Sequence, residues 1–315
     1  MKKLLTLIIF LTSCLGMNAQ EKITFMPAWT PQAQFAGFYV ALEKGFYAAE
    51  GLDATIEHMG INSSKPGILR IAEGEVDIIG SHPIQSLMAR DGGLKIVNVL
   101  QLTQNTGLMI VSHKPIPDIQ SLNGMKIARW KSGFSEICEV CLASNNVNVE
   151  WIPFLNGINI FISNAVDATV VMSYNELNAL REAVGTIPED HIIKFSDYGY
   201  NIPEDGLYVT EDYLAKHPDT VAKFCEATKK GWLWCREHPE EALDILMDYV
   251  DKAGVKTSRY HQQLMLQGML DLLINSDTGK MDFQQLREDR YNALIESLIK
   301  MNFISKPIQY KEFIR

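Results

Sequence analysis

The sequence predicts an α/β protein of two lobes followed by a long helical segment, and three observations predict it. Short apolar strand-like runs alternate with helical segments through the N-terminal third. The same alternation restarts after Pro115-Ile116-Pro117. From Thr210 onward the apolar spacing is almost entirely helical. Alternating strands and helices favour mostly parallel sheets, because each crossover helix returns the chain to the same end of the sheet.

Residues 1–19 stand outside this fold. Lys2 and Lys3 precede the apolar run Leu4 to Leu11, which is too short to span a bilayer and has the build of a secretory leader. Two ends fit it: a small residue, Ala19, before Gln20, or the lipobox-like Leu11-Thr12-Ser13-Cys14, which would carry lipid on Cys14. Residues 20–113 form the first part of lobe 1. Lys22–Met26 is a strand, Gln32–Lys44 an amphipathic helix closed by Gly45, and Ala54–Met59 a strand. Pro66–Glu73 is a helix, Val76–Gly80 an apolar strand, Pro83–Arg90 a helix with a proline start, and Lys95–Leu102 a strand.

Residues 114–204 form lobe 2. Its elements are strand Lys126–Arg129, helix Ser135–Ser144, strands Asn148–Ile152 and Ala168–Met172, helix Glu176–Ala183 and strand Ile192–Phe195. Residues 205–315 return to lobe 1. They hold four helices, Asp219–Arg236, Pro239–Tyr249, Ser258–Ile274 and Asp282–Lys300.

The totals limit the function classes. The 315 residues suit two lobes of about 100–150 residues, and 47% hydrophobic with 21% charged is ordinary for a globular protein. No later run reaches the roughly 18 apolar residues of a membrane span. Loss of Lys2 and Lys3 takes the net charge from −9 to −11, which argues against nucleic acid or an anionic membrane as partner. Cys225 and Cys235 lie ten apart on one helix, about 15 Å of rise, too far to bridge. Cys138 and Cys141 make a single CxxC with no second pair or nearby histidine to complete a metal site. Buried thiols are the plain reading.

Candidate site residues cluster where strands end. Trp29 follows the first strand and offers a platform for a flat ring. Gln34 and Phe35 open the next helix, whose N–H groups could face an acceptor. Ser81 and His82 follow Val76–Gly80, with Ser81 suited to cap the next helix. Trp130, Lys131, Ser132 and Gly133 fill the matching turn of lobe 2, where backbone N–H groups and a lysine could receive an anion. The turn lacks GxxxxGK[ST], so a nucleoside triphosphate is not expected. Asp205 lies at the return crossing, at a hinge or cleft rim. Core packing explains Trp29 and Phe35 as well, and a loop role explains His82.

Several stretches carry a family resemblance. They are Trp29-x-Pro-Gln-Ala-Gln-Phe-Ala-Gly-Phe-Tyr-Val-Ala41, Glu43-Lys-Gly-Phe-Tyr47 and Glu50-Gly-Leu-Asp53. Further along stand Glu73-Gly-Glu-Val-Asp-Ile-Ile-Gly80, Val166-Asp-Ala-Thr-Val-Val-Met-Ser-Tyr-Asn-Glu176, Pro218-Asp-Thr-Val-Ala-Lys-Phe224 and His238-Pro-Glu-Glu-Ala242. From Lys22 to Tyr249 the chain resembles the solute-binding proteins of ABC importers related to the thiamine-pyrimidine proteins, beside the sulfonate and nitrate binders. The resemblance implies a type II periplasmic-binding-protein fold, with two hinged α/β lobes and the C-terminal helices layered on the first. It implies a small-molecule ligand, an inner-membrane ABC permease as partner, a monomer outside the cytoplasm, and no cofactor, metal or catalytic residue.

In the resembled pyrimidine binders a Tyr-Asn-Glu places its carboxylate on an aminopyrimidine edge, which implies that role for Tyr174 and Glu176. A first-turn glutamate favoured by the helix dipole is the alternative for Glu176. Ala28 replaces the usual polar residue before the tryptophan. A flavin-like ring, nitrate, or a sulfonate held by Lys131 and the two helix starts remain open, as does ligand sensing in place of transport. The fungal synthase branch of the superfamily uses a lysine and a histidine where this chain has Ser81 and Gln85, and a cysteine run where Tyr198–Tyr208 has none. Ser81 cannot form a Schiff base.

Overall fold

The computed structural model describes residues 20–131, 136–154 and 158–315. The leader, Cys14, Ser132 and Gly133 lie outside them. Two five-stranded sheets form the framework. The first runs β2-β1-β3-β10-β4 and the second β7-β6-β8-β5-β9. Here β1 is Glu21–Met26, β2 Leu52–Ile56, β3 Ile78–Ser81, β4 Ile96–Gln101 and β5 Leu108–Ser112. β6 is Lys126–Trp130, β7 Glu150–Phe154, β8 Ala168–Met172, β9 Ile192–Lys194 and β10 Gly206–Thr210.

Parallel pairing dominates each sheet's first half: β1 joins β2 from Glu21↔Leu52 to Phe25↔Ile56, and β6 joins β7 from Lys126↔Glu150 to Trp130↔Phe154. One strand in each sheet runs the other way. β10 lies antiparallel between β3 and β4, and β5 antiparallel between β8 and β9. Each is the first strand after a crossing, so it enters its sheet from the end nearest the other lobe.

Neither β5 nor β10 is among the strands expected from sequence. Both are five-residue runs that begin directly after polar crossing segments. β5 also moves the start of the second sheet. The sequence reading keeps residues up to 113 with the first lobe, whereas the chain leaves that sheet after β4, at the polar segment Leu102–Gly107. Pro115 and Pro117 punctuate the far end of β5, not the crossing. The last long helix likewise starts at Glu288 rather than Asp282, and Phe283 just before it has φ +49°.

The C-terminal helices cover the first sheet's helix Ala36–Glu43. Helix Pro218–Glu237 comes so close that a Cβ on Gly231 would sit 2.0 Å from the Gly37 carbonyl oxygen. A Cβ on Gly37 would meet the Trp232 ring at 2.4 Å. Only glycine at both positions lets the two backbones meet and buries Trp232 fully. The chain end is tied down as well: Phe313 is buried, and the Arg315 N–H donates to the Asn98 carbonyl of edge strand β4 at 2.9 Å. Cys138, Cys141, Cys225 and Cys235 are buried free thiols, and burial pushes Cys141 and Cys225 up to about 12.

Two crossing segments join the lobes and bond to each other. The Leu102 N–H and the Gln101 Nε2 both donate to the Asp205 carbonyl, at 2.9 and 2.8 Å, and the Asp205 N–H donates to Thr103 Oγ1 at 3.0 Å. Glu204 accepts from the Thr106 hydroxyl and from the Gly107 N–H. Burial pushes Glu204 up to about 8 and Asp205 up to about 7, against hydrogen bonds that pull each down.

A candidate ligand site between the lobes

A cavity of about 220 Å³ lies where strand ends from both sheets meet. Ligands of open α/β sheets bind outside the carboxyl ends of strands, and both lobes contribute that end here. Ala28 and Trp29 follow β1 and His82 follows β3. Trp130 ends β6, Met172 ends β8, and Tyr174, Asn175 and Glu176 lead into helix Glu176–Val184. Gln32, Gln34, Ile158 and Ala179 complete the lining.

The first lobe supplies a polar wall fixed from behind. Gln32 Nε2 donates to Gln34 Oε1 at 2.6 Å, and Gln34 Nε2 donates to the Asp205 carboxyl at 2.9 and 3.1 Å. Trp29 is set by its main chain: its carbonyl accepts from His58 Nδ1 at 2.7 Å, while His58 Nε2 faces the Tyr39 hydroxyl at 3.0 Å. Burial lowers the His58 pKa, which suits a neutral ring donating through Nδ1 and accepting at Nε2. Burial also pushes His82 down to about 3, so it stays uncharged at neutral pH.

The second lobe supplies the charge. Glu176 accepts from the Met172 N–H at 3.0 Å and from Asn175 Nδ2 at 2.9 Å. Its desolvation outweighs these donors and lifts the carboxyl to about 7. Such a group gains most from a partner that brings a cation or several N–H donors. Trp130 packs against Phe154, ring centroids 5.7 Å apart, and the buried Tyr174 lines the cavity. Among the described residues no lysine or arginine lines the cavity, and no group of side chains could hold a metal.

Six of the residues expected from sequence therefore meet in one place: Trp29, Gln34, His82, Trp130, Tyr174 and Glu176. Four do not line it. Phe35 is buried in the core, its ring centroid 5.9 Å from that of His58. Ser81 is buried and takes a hydrogen bond from Ser86, and the cap position of the next helix belongs to His82, so Ser81 neither caps nor faces the cleft. Lys131 is exposed, with its N–H spent on the Phe154 carbonyl. Asp205 stands one residue back, behind Gln34. The helix start near Gln34 is not open either, because the Ala33 N–H donates to Gln262 Oε1 at 2.7 Å. Gln32, Met172 and Asn175 sit inside motifs already quoted; Ile158 and Ala179 carry no sequence signal.

Residues 32–242 match the model of the NMT1/THI5-like family. The chain belongs to this family. It is 24% identical over 270 residues to the riboflavin-binding protein RibY of Chloroflexus aurantiacus, covering 82% of this chain and 76% of that protein. It is 27% identical over 290 residues to the formylaminopyrimidine-binding protein of Halalkalibacterium halodurans, covering 86% and 85%. Over 246 residues it is 26% identical to a 4-amino-5-hydroxymethyl-2-methylpyrimidine phosphate synthase of Saccharomyces cerevisiae, covering 73% and 71%. The periplasmic aliphatic sulphonate binding protein SsuA of Escherichia coli shares the fold at a TM-score of 0.71 and 12% identity, covering 94% and 92%. The two-lobe fold of the periplasmic binding proteins is thus that of this chain.

Proposed function

We propose that this chain is the extracytoplasmic solute-binding protein of an ABC importer, closing on a flat, amine-bearing heterocycle of aminopyrimidine size. Glu176 carries the reading: a buried carboxyl, raised by desolvation and held by two N–H donors, lining a cavity that has an indole from each lobe. A carboxylate there accepts from an exocyclic amine and a protonated ring nitrogen together, while Trp29 and Trp130 offer apolar faces. Each aromatic contact adds about 0.5–1.5 kcal/mol beyond burial.

Size favours one ring over three. A cavity of about 220 Å³ exceeds the roughly 150 Å³ that holds benzene and falls below the roughly 300 Å³ of a site for drug-sized ligands. That supports an aminopyrimidine over a flavin. The charge supports it over a sulfonate, since an uncharged histidine and a carboxyl line the cavity while Lys131 points to solvent. Carrier supports better than synthase, because Ser81 supplies no amine for a Schiff base and is buried beside Ser86.

A thermal-shift screen tests the assignment. Aminopyrimidines should raise the melting temperature, and riboflavin, aliphatic sulfonates and nitrate should not. A response confined to sulfonates would refute the heterocycle and leave the carrier.

A further inference from the structure

His261 lies just outside the cavity and joins the lobes. It sits in the first turn of helix Arg259–Leu272, where its N–H donates to the Ser258 cap at 3.0 Å. Its ring meets the second-lobe helix that starts at Glu176. Nδ1 stands 3.0 Å from Glu182 Oε1, and Nε2 stands 3.0 Å from Asn175 Oδ1. Asn175 Nδ2 in turn donates to Glu176 Oε1. The His261 side chain is only 14% exposed. One helical turn pair further along, the same helix touches Tyr174 so closely that a Cβ on Gly268 would lie 2.8 Å from the tyrosine Cβ.

Each link fixes the next. An amide that donates through Nδ2 to Glu176 presents only its oxygen to His261. The Glu182 carboxylate is an acceptor too. A ring between two acceptors satisfies both only when both its nitrogens carry protons. We infer that His261 is an interlobe latch and a positioning residue: its ring ties Glu182 and Asn175 of the second lobe to the first, and through Asn175 it aims the Glu176 carboxylate at the solute.

The amide also couples the charge of Glu176 to the latch. With Glu176 ionised, Asn175 keeps its Nδ2 on the carboxylate and its oxygen on the His261 ring. A protonated Glu176 can donate to that oxygen once the amide turns over, which takes the oxygen away from the ring. A solute that needs Glu176 ionised therefore strengthens the latch, and the latch strengthens its binding. The titratable groups around the ring are Glu182 directly, Glu176 through Asn175, and neighbouring Arg259, which pairs with Glu240 and Asp244 of helix Pro239–Lys252.

The affinity readout rests on the solute-binding reading above, so the test has a second arm without solute. Calorimetry with 4-amino-5-hydroxymethyl-2-methylpyrimidine, from about pH 5.5 to 9, should give an affinity that falls on the acid side as Glu176 takes up its proton. His261→Ala should weaken binding about tenfold and move that acid limb to higher pH, because an amide no longer held by the ring gives up the N–H that pulls Glu176 down. Glu182→Gln should move it the same way by less, and Trp29→Ala should weaken binding at every pH with the limb in place. Wild-type affinity and an unmoved acid limb in His261→Ala overturn the latch. Small-angle scattering without solute, at about pH 6, should find His261→Ala and Glu182→Gln more expanded than the wild type. Superimposable curves overturn the latch even if no aminopyrimidine binds, a result that would by itself refute only the proposed ligand.

Discussion

Raising the pH should destabilise this protein through Glu204 and Asp205, the two buried acids at the return crossing. They are 6% and 7% exposed, and burial lifts them from 4.5 and 3.8 to about 8 and about 7. Because both values are raised on folding, the native protein holds protons that the unfolded chain has already released. Stability is therefore full below about pH 4 and falls as the pH climbs to about 8. A shift of about 3 units on one acid corresponds to about 4 kcal/mol. The two share one desolvated crossing, so about 4 kcal/mol for the pair is a working figure and their separate values do not add. For a chain of this size that lowers the melting temperature by about 10 °C between about pH 5 and 8.5. Differential scanning calorimetry of the wild type and of a Glu204→Gln/Asp205→Asn double variant reads it directly. The double variant should lose most of the slope. An identical slope in both proteins, or a melting temperature that rises over this window, would refute the reasoning.

Other perturbations have equally definite outcomes. Trp29→Ala and Glu176→Ala should each weaken aminopyrimidine binding at least tenfold, about 1.4 kcal/mol, with circular dichroism unchanged; unchanged affinity in both would remove the site. Gly231→Ala should cost about 1–3 kcal/mol in urea denaturation, since its Cβ has no room against the Gly37 carbonyl; wild-type stability would show that the two helices are not in contact. The four buried thiols should resist Ellman's reagent in the native protein and react once it is unfolded, because burial keeps them protonated. Fast reaction of Cys138 or Cys141 in native buffer would reopen a redox role for the CxxC.

Much of the architecture is legible in the sequence because its strands and helices alternate in phase with turn signals. The helix after His82 begins at Pro83, and the helix Pro239–Lys252 at its own proline, where such starts are expected. The site is legible only to within one residue. Gln34 lines the cavity while Phe35 enters the core; His82 lines it while Ser81 is buried behind; Trp130 lines it while Lys131 meets solvent. Adjacent side chains point different ways whether they leave a strand, as at Ser81 and Trp130, or sit on a helical turn, as at Gln34 and Phe35, and a motif names the turn without setting that phase. β5 and β10 escape because a short apolar run beside a polar crossing reads as loop. His261 escapes for another reason: it meets Asn175 across 86 residues of chain, a contact that only the hinge geometry creates.

Isothermal titration calorimetry of the purified protein with 4-amino-5-hydroxymethyl-2-methylpyrimidine, alongside Glu176→Gln, puts the whole account at stake. One molecule should bind per chain with a Kd of about 1 μM or tighter, about −8 kcal/mol, and leave chemically unchanged. The glutamine variant should lose most of that affinity. No heat from the wild type, equal affinity in the variant, or conversion of the compound would contradict it.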